Sequence, residues 1–453
     1  MKILFLVELW ENFEYLARNE TIVEIKSFKT KKYQINIRSH LDNINNKGKW
    51  IMNYIVIGNG IAGNTAVKEL YDKIDSKSKI LIFCDEKYNY YSRPKLPSLL
   101  GDDTIKIESI ISDDLALYDD KKVLFHPQEL VLQVDLKHKI AKTNNGEYQF
   151  DRLLFATGAE PFVPPICSSN VHNFFSLRTI DDVVKIRKSL NKAKKAVIIG
   201  GGILGLEIAG EIAGRGIETH IIEFFPYLLP RQLDEEGGKI LQKFFEKKGV
   251  ISHLDKQVQE IIHNNETVQA VTLKTGEVLS TDIVIVSTGI RPRIKLAQAA
   301  GLEINKGIIV NEFLETNNPD VYAIGDCAEF QGRVYGLIAP SRDQAKIVSE
   351  NLVHPKSAKY EAWQPSATLK VSGLSVTSLN YTGKPSSDYK IKKYIDENSQ
   401  EFVKLFIKDD RIESALLIGF KTAVPLIKRI IEKKLLISEN IEKLKEKIPQ
   451  IFS

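Results

Sequence analysis

Asn53–Gly63 reads NYIVIGNGIAG, and Ala196–Gly205 reads AVIIGGGILG. Each is a short β-branched run ending in G-x-G-x-x-G, and each is followed by a stretch of helical spacing. A second apolar strand comes next and ends in acid: KILIFCDE (Lys79–Glu86) after the first, THIIEF (Thr219–Phe224) after the second. One glycine-rich turn is common in α/β sheets. Two, each in a strand–turn–helix–strand setting with an acid some distance on, specify two dinucleotide-binding folds. The first glycine makes the tight turn and the second lets backbone approach a pyrophosphate. The third lets the helix pack close, so that its N-terminus faces the negative charge.

Further segments close the two units. LLFATGAEP (Leu153–Pro161) and IVIVSTGIRP (Ile283–Pro292) read as buried strands ending in Thr-Gly and then proline, and VYAIGDCAEF (Val321–Phe330) as a strand ending in Gly-Asp. Their order implies one nucleotide domain inserted into another: residues 52–165 and 293–352 form the first, 166–292 the second. The last hundred residues differ. YKIKKYIDE, FVKLFIKDD and ESALLIGF predict antiparallel strands, and a Lys/Glu-rich helix is expected over Ala423–Lys447. The expected fold class is therefore α/β with two Rossmann-like domains, plus a C-terminal α+β domain over 353–453.

The bulk numbers fit this plan. A chain of 453 residues exceeds one core. A formal net charge of +5 is mild for this length and gives no reason to expect a nucleic-acid partner. No apolar run approaches a membrane span, and Glu8 interrupts the short apolar start without a cleavage site after it. A cytoplasmic location is the simplest expectation. Residues 1–51 match nothing in the scheme. They are either an accessory hairpin or lie ahead of a natural start at Met52, which directly precedes NYIVIGNG.

This arrangement resembles the FAD-dependent pyridine nucleotide-disulfide oxidoreductases, over essentially Met52 to the C-terminus. Within them it is most similar to NADH:rubredoxin oxidoreductases and the flavin-binding part of NADH-dependent nitrite reductases, through FFPYLLPRQLDEEGGKILQ (Phe224–Gln242) and TLKVSGLSV (Thr368–Val376). The resemblance implies that Gly58, Gly60 and Gly63 hold the FAD pyrophosphate. Asp85, with Glu86 as its fallback, takes the ribose, and Arg93 bridges the phosphates; the alternative for Asp85 and Arg93 is a solvated loop charge. Thr157, Gly158 and Gly289 lie at the strand ends that border the cofactors. Asp326 corresponds to the aspartate that binds the ribityl chain, and a helix starting at Pro340–Ser341 would point at the flavin. Gly200, Gly202 and Gly205 would hold NADH as substrate. Glu223 would accept from its ribose, with Phe224 and Phe225 where a phosphate would want arginines.

Two residues are expected beside the reacting rings. Glu207 occupies the family position near the nicotinamide, its alternative being an exposed helix glutamate. Lys95 lies in RPKLPSLLG, the region where disulfide-using relatives carry their cysteine; relatives with a lysine–glutamate pair carry the lysine where this chain has Ser98. The three cysteines, Cys84, Cys167 and Cys327, are far apart and read as small buried hydrophobes. No cysteine cluster accompanies the eight histidines, so no metal site is expected. The expected activity is hydride transfer from NADH to FAD, followed by single-electron delivery to a small carrier such as a rubredoxin or ferredoxin, or to a nitrite reductase partner. Lys421, Lys428, Arg429, Lys433 and Lys434 could complement an acidic carrier, although a plain solvated helix explains them too. The alternatives are an NADH oxidase using dioxygen and a non-enzymatic, NADH-responsive FAD protein. A homodimer is compatible with each.

Overall fold

The computed structural model describes residues 51–112, 118, 120–166, 171–364, 366–383 and 388–452. Almost all of the N-terminal extension, and Cys167, lie outside the described residues. The chain forms two compact units. The first takes the described residues within 51–90, 113–158 and 293–361; the second takes those within 91–112, 159–292 and 362–453.

The first unit is built on a five-stranded parallel sheet. Its strands run, in spatial order, Val321–Ala323, Arg152–Phe155, Asn53–Ile57, Lys79–Phe83 and Val123–His126. Asn53–Ile57 lies at the centre, with Ile55 opposite Leu81 on one side and Leu153 on the other. Its residues after Asn53 are all buried, which is why the sequence shows a continuous apolar run rather than alternation. The helices Ile61–Tyr71 and Ile338–Val353 pack against each other, and a small antiparallel sheet of Val131–Asp135, Ile140–Thr143 and Glu147–Gln149 completes this unit.

The second unit repeats the plan. Its parallel sheet runs Val250–His253, Glu218–Ile222, Lys195–Ile199, Ile283–Val286, Phe174–Ser176. A three-stranded antiparallel sheet, Val258–Asn264, Thr267–Leu273 and Val278–Ser280, buries Val258, Ile261, Val268 and Val271 in the same core as Val197 and Val284. Tyr91–Ser112 belongs to this unit: Arg187 Nη2 donates to the Asp102 and Ile105 carbonyls at 2.8 Å each, and the short helix Ser98–Gly101 packs on Ile203–Gly214.

Also in the second unit is the C-terminal sheet, antiparallel and five-stranded: Ser366–Val371, Leu374–Leu379, Arg411–Ile418, Glu401–Lys408, Lys390–Asp396. The three expected strands are present, and a hairpin over Ser366–Leu379 adds two more. The single helix expected over Ala423–Lys447 is corrected. It ends at Glu432, and Ile441–Lys447 forms a separate helix. Lys434 adopts φ +50°, and the Ile437 amide turns aside to the Asp410 carbonyl at 2.8 Å. The apolar run Leu435–Ile437 is thus drawn onto the strand Arg411–Ile418 through the Arg411–Leu436 bridge, with Ile437 entering the core beside Ile427 and Ile430. Burying that run outweighs helical continuity.

Candidate functional site: two glycine cradles

Both fingerprints fold alike. Gly58 sits at φ +111°, where L side chains are strained, and a Cβ there would stand 2.2 Å from the Ala156 carbonyl oxygen. Gly200, at φ +115°, repeats this with the Ser287 carbonyl oxygen at 2.3 Å. Cβ atoms on Gly63 and Gly205 would each lie 2.0 Å from the carbonyl oxygen of the first glycine, so each helix runs hard against its own loop. The middle glycines differ. Nothing lies within 4 Å of the Cβ that Gly60 or Gly202 lacks. Each is also the N-cap of its helix, without a side-chain cap and with no acid in the first turn. Uncapped N–H groups, the positive end of a helix dipole and open space make an anion cradle. A dinucleotide pyrophosphate fits both on these grounds.

The first unit brings together Gly58, Gly60, Gly63, Asp85, Thr157, Gly158 and Asp326. Asp85 is exposed at the end of its strand and pairs with Arg293 Nη1 at 2.9 Å. The same arginine donates its backbone N–H to the Gly158 carbonyl at 2.9 Å and accepts from Thr157 Oγ1 at 2.8 Å. Arg293 therefore organises three of the expected site residues, yet it was not among them. The signal was present in the R-P-R that follows the second Thr-Gly. Asp326 lies on the 3-10 turn Gly325–Cys327, whose first amide donates to Gln344 Oε1 at 2.7 Å. Gln344 belongs to the helix Ile338–Val353, which starts two residues ahead of Pro340 and has no side-chain cap at Leu337.

The second unit holds Arg93, Lys95, Gly200, Gly202, Gly205, Glu207, Glu223 and Gly289. Glu223 is buried, and both its oxygens are engaged: Oε2 accepts from the Gly201 amide at 2.6 Å and Oε1 from Phe225 at 2.9 Å. An ionised carboxylate has about four lone-pair sites, so two remain for ribose hydroxyls. Phe224 and Phe225, packed edge to face, are exposed beside it. Gly289 has φ +115° with open space around it, and its carbonyl takes the Phe162 amide at 2.9 Å. Arg93 Nη1 donates to the Arg178 carbonyl at 2.6 Å, and its guanidinium lies 5.4 Å from the Tyr91 ring centroid.

Lys95 is exposed, and among the described residues no ion pair joins it to Glu207. Glu207 Oε1 accepts instead from the Ser372 amide at 3.0 Å. Burial pushes the Glu207 carboxyl above the ordinary range; the Ser372 amide opposes this, and Glu211 one turn on adds to it. Cys327 is fully buried, and that burial pushes its thiol up, against the thiolate. Cys84 is also buried, its sulfur 3.3 Å from the Glu86 amide. No helix is long and apolar enough to cross a membrane, and no metal-ligating cluster occurs, both among the described residues.

Two such cradles on two parallel sheets define a protein built to hold a pair of dinucleotides. The chain belongs to the pyridine nucleotide-disulphide oxidoreductase family, whose model matches residues 52–346. Residues 365–435 match the rubredoxin NAD+ reductase C-terminal domain. A nitrite reductase [NAD(P)H] of Bacillus subtilis (strain 168) is 34% identical over 386 residues, 85% of this chain and 48% of that protein. An NADH oxidase of Methanocaldococcus jannaschii is 33% identical over 346 residues, 73% of this chain and 76% of that protein. The crystal structure of NADH:rubredoxin oxidoreductase from Clostridium acetobutylicum matches with a TM-score of 0.69 at 27% identity, covering 84% of this chain and 95% of that one. The chain spans less than half the length of the nitrite reductase relatives.

Proposed function

We propose that the chain is an FAD-dependent NADH oxidoreductase that delivers electrons singly to a small iron protein of the rubredoxin or ferredoxin type, or to a nitrite reductase partner. The observation that carries this reading is the pair of uncapped glycine cradles, in a chain whose C-terminal segment is like that of rubredoxin NAD+ reductases. FAD supplies a centre that accepts hydride and releases electrons one at a time. The chain's residues bind and orient. Gly58, Gly60 and Gly63 with their helix end take the pyrophosphate of FAD, and Asp85, Thr157, Gly158 and Asp326 flank it; Arg93 is a separate candidate for a phosphate contact. Gly200, Gly202 and Gly205 take the pyrophosphate of NADH, with Gly289 beside it. Glu223 accepts from the ribose and repels a 2′-phosphate. Lys95 and Glu207 are the separate candidates for groups beside the reacting rings. This reading sets the protein in the cytoplasm and accommodates a homodimer.

The second reading is an NADH oxidase, favoured by the Methanocaldococcus relative that carries that name. Anaerobic titration decides the main point. Protein loaded with FAD should be yellow, lose its colour on NADH addition, and regain it when oxidised rubredoxin is added. Protein that folds without taking up FAD, or that keeps its colour with NADH, would end the proposal.

A further inference from the structure

Two imidazoles meet in the second unit. His220 and His253 lie on neighbouring parallel strands, Glu218–Ile222 and Val250–His253, with Nδ1 of the first 2.9 Å from Nε2 of the second and the rings stacked at 25°. Both are mostly buried. Each outer nitrogen faces a carboxylate: His220 Nε2 lies 3.0 Å from Glu218 Oε1, and His253 Nδ1 lies 3.7 Å from Glu277 Oε1, in the turn before Val278–Ser280. Lys195 Nζ, on the other neighbouring strand, also holds Glu218 at 2.9 Å, and Lys256 adds positive charge from the loop after His253. These are the charged groups that face the pair. Burial and the His220 charge hold the His253 ring below the ordinary histidine range, Lys256 adding to this and Glu277 opposing it.

Counting protons shows what the pair tolerates. Neutral, its four ring nitrogens carry two protons, one of which is shared between the rings and makes the bond. A third still leaves one shared proton, with an N–H on each outer nitrogen toward Glu218 and Glu277. A fourth sets N–H against N–H and breaks the bond. The place of that bond matters. Ile222 stands opposite His253 in the parallel register, and the next amide, that of Glu223, donates to the His253 carbonyl at 2.9 Å. Lys256 returns its amide to the Glu223 carbonyl at 3.0 Å, and Glu223 Oε2 takes the Gly201 amide at 2.6 Å. The strand ends that the rings join are thus the ones that seat Glu223 against the second cradle.

We propose that His220 and His253 are positioning residues for Glu223, their shared proton holding the two strand ends together at neutral pH and its loss in acid loosening Glu223, so that NADH affinity falls there. This rests on Glu223 being the NADH ribose acceptor. The test is stopped-flow reduction of the FAD-loaded protein over a range of NADH concentrations at pH 7.5 and 5.5, which separates NADH affinity from the limiting rate, with the Tm of each protein at both pH values. The wild type should bind NADH about fivefold more weakly at pH 5.5, the worth of one hydrogen bond, with its limiting rate little changed. His253→Gln sets an amide where Nε2 stood, and His220→Asn one where Nδ1 stood; neither titrates. Each should match the wild type at pH 7.5 and keep that affinity at pH 5.5. An acid loss as large in the variants as in the wild type, even with a lowered Tm, would make the pair merely structural and overturn the proposal. So would wild-type affinity that is the same at both pH values, a result that needs no variant to fold. A wild-type flavin that NADH fails to reduce at pH 7.5 would instead bring down the functional reading itself.

Discussion

Glu207 Oε1 accepts a 3.0 Å hydrogen bond from the Ser372 amide, fastening a helix that begins in the second glycine cradle to the tip of a hairpin in the C-terminal sheet. The contact is close. A Cβ on Gly210 would strike Ser372 Oγ at 2.2 Å, and Ser372 and Gly373 turn with φ +47° and +95°. The carboxylate that holds the hairpin is also one that burial and Glu211 make reluctant to ionise.

Glu207→Gln keeps an acceptor for Ser372 and removes the disfavoured charge. A carboxyl whose pKa is raised on folding contributes stability fully present below its ordinary value of 4.5 and lost as pH rises through the raised value. The Gln variant should therefore melt at or above the wild type at pH 7, and the advantage should vanish below pH 4.5. Glu207→Ala strands the Ser372 amide, at a cost of about 1–3 kcal/mol. Its Tm at pH 7 should lie below that of Glu207→Gln; the reverse order would show that Ser372 gains nothing from the contact.

Lys404 supplies a second fastening. Its Nζ lies 2.6 Å from both Asp234 and Glu236, and it is nearly buried. Burial alone would push Glu236 up, but the hydrogen bonds and charges of Lys393 and Lys404 hold it below the ordinary range. Its contribution is thus present above the ordinary glutamate pKa and lost as pH falls through the lowered value. Lys404→Ala should cost about 3 kcal/mol at pH 7 and progressively less in acid, read from urea unfolding at the two pH values. An equal loss at both would rule out the ion pair as the cause.

The parts legible in the sequence were those where one residue type alone can serve. Gly58 and Gly200 need φ beyond +100° and an approach to carbonyl oxygen that any Cβ forbids, so their spacing announces the turn. Strands such as Ile283–Val286, buried at every position, show as unbroken β-branched runs. Arg293 stood in the R-P-R after the second Thr-Gly, but its role could not be read there, because it depends on Asp85, which is distant in the chain. The break after Glu432 was hidden for a like reason: a Lys/Glu-rich stretch has helical propensity throughout, and only the partner strand shows where Leu436 and Ile437 go. Glu207 was singled out by the position it shares with the family it resembles, and that could not reveal that Ser372 would meet it.

Nucleotide choice follows from Glu223 holding both the Gly201 and Phe225 amides. Phe224→Arg alone should improve NADPH use without loosening the loop, shifting the kcat/KM ratio toward NADPH by about tenfold. Glu223→Ala should instead impair both nucleotides, since it removes the strut to Gly201 and Phe225 as well as the proposed ribose acceptor. If NADPH already matches NADH in the wild type, the assignment of Glu223 is wrong.

Cys327, buried with its sulfur 3.2 Å from the Ile324 carbonyl, is placed to fill space. Cys327→Ala should lower stability by about 1 kcal/mol and leave reduction by NADH intact. A variant that keeps FAD but no longer reacts with NADH would assign the thiol a part in the chemistry.

The central claim concerns where the electrons go. Lys421, Lys428, Arg429, Lys433 and Lys434 are all exposed, on and beside the helix Val424–Glu432, whose Ile427, Ile430 and Ile431 face inward. On the proposed function a small acidic iron protein would dock on that surface, and its encounter should weaken with added salt while NADH oxidation does not. Stopped-flow mixing of the NADH-reduced protein with rubredoxin, with ferredoxin and with dioxygen measures this directly. The account predicts rapid, salt-sensitive reduction of an iron protein and slow reaction with dioxygen; dioxygen outpacing both carriers at every salt concentration would contradict it.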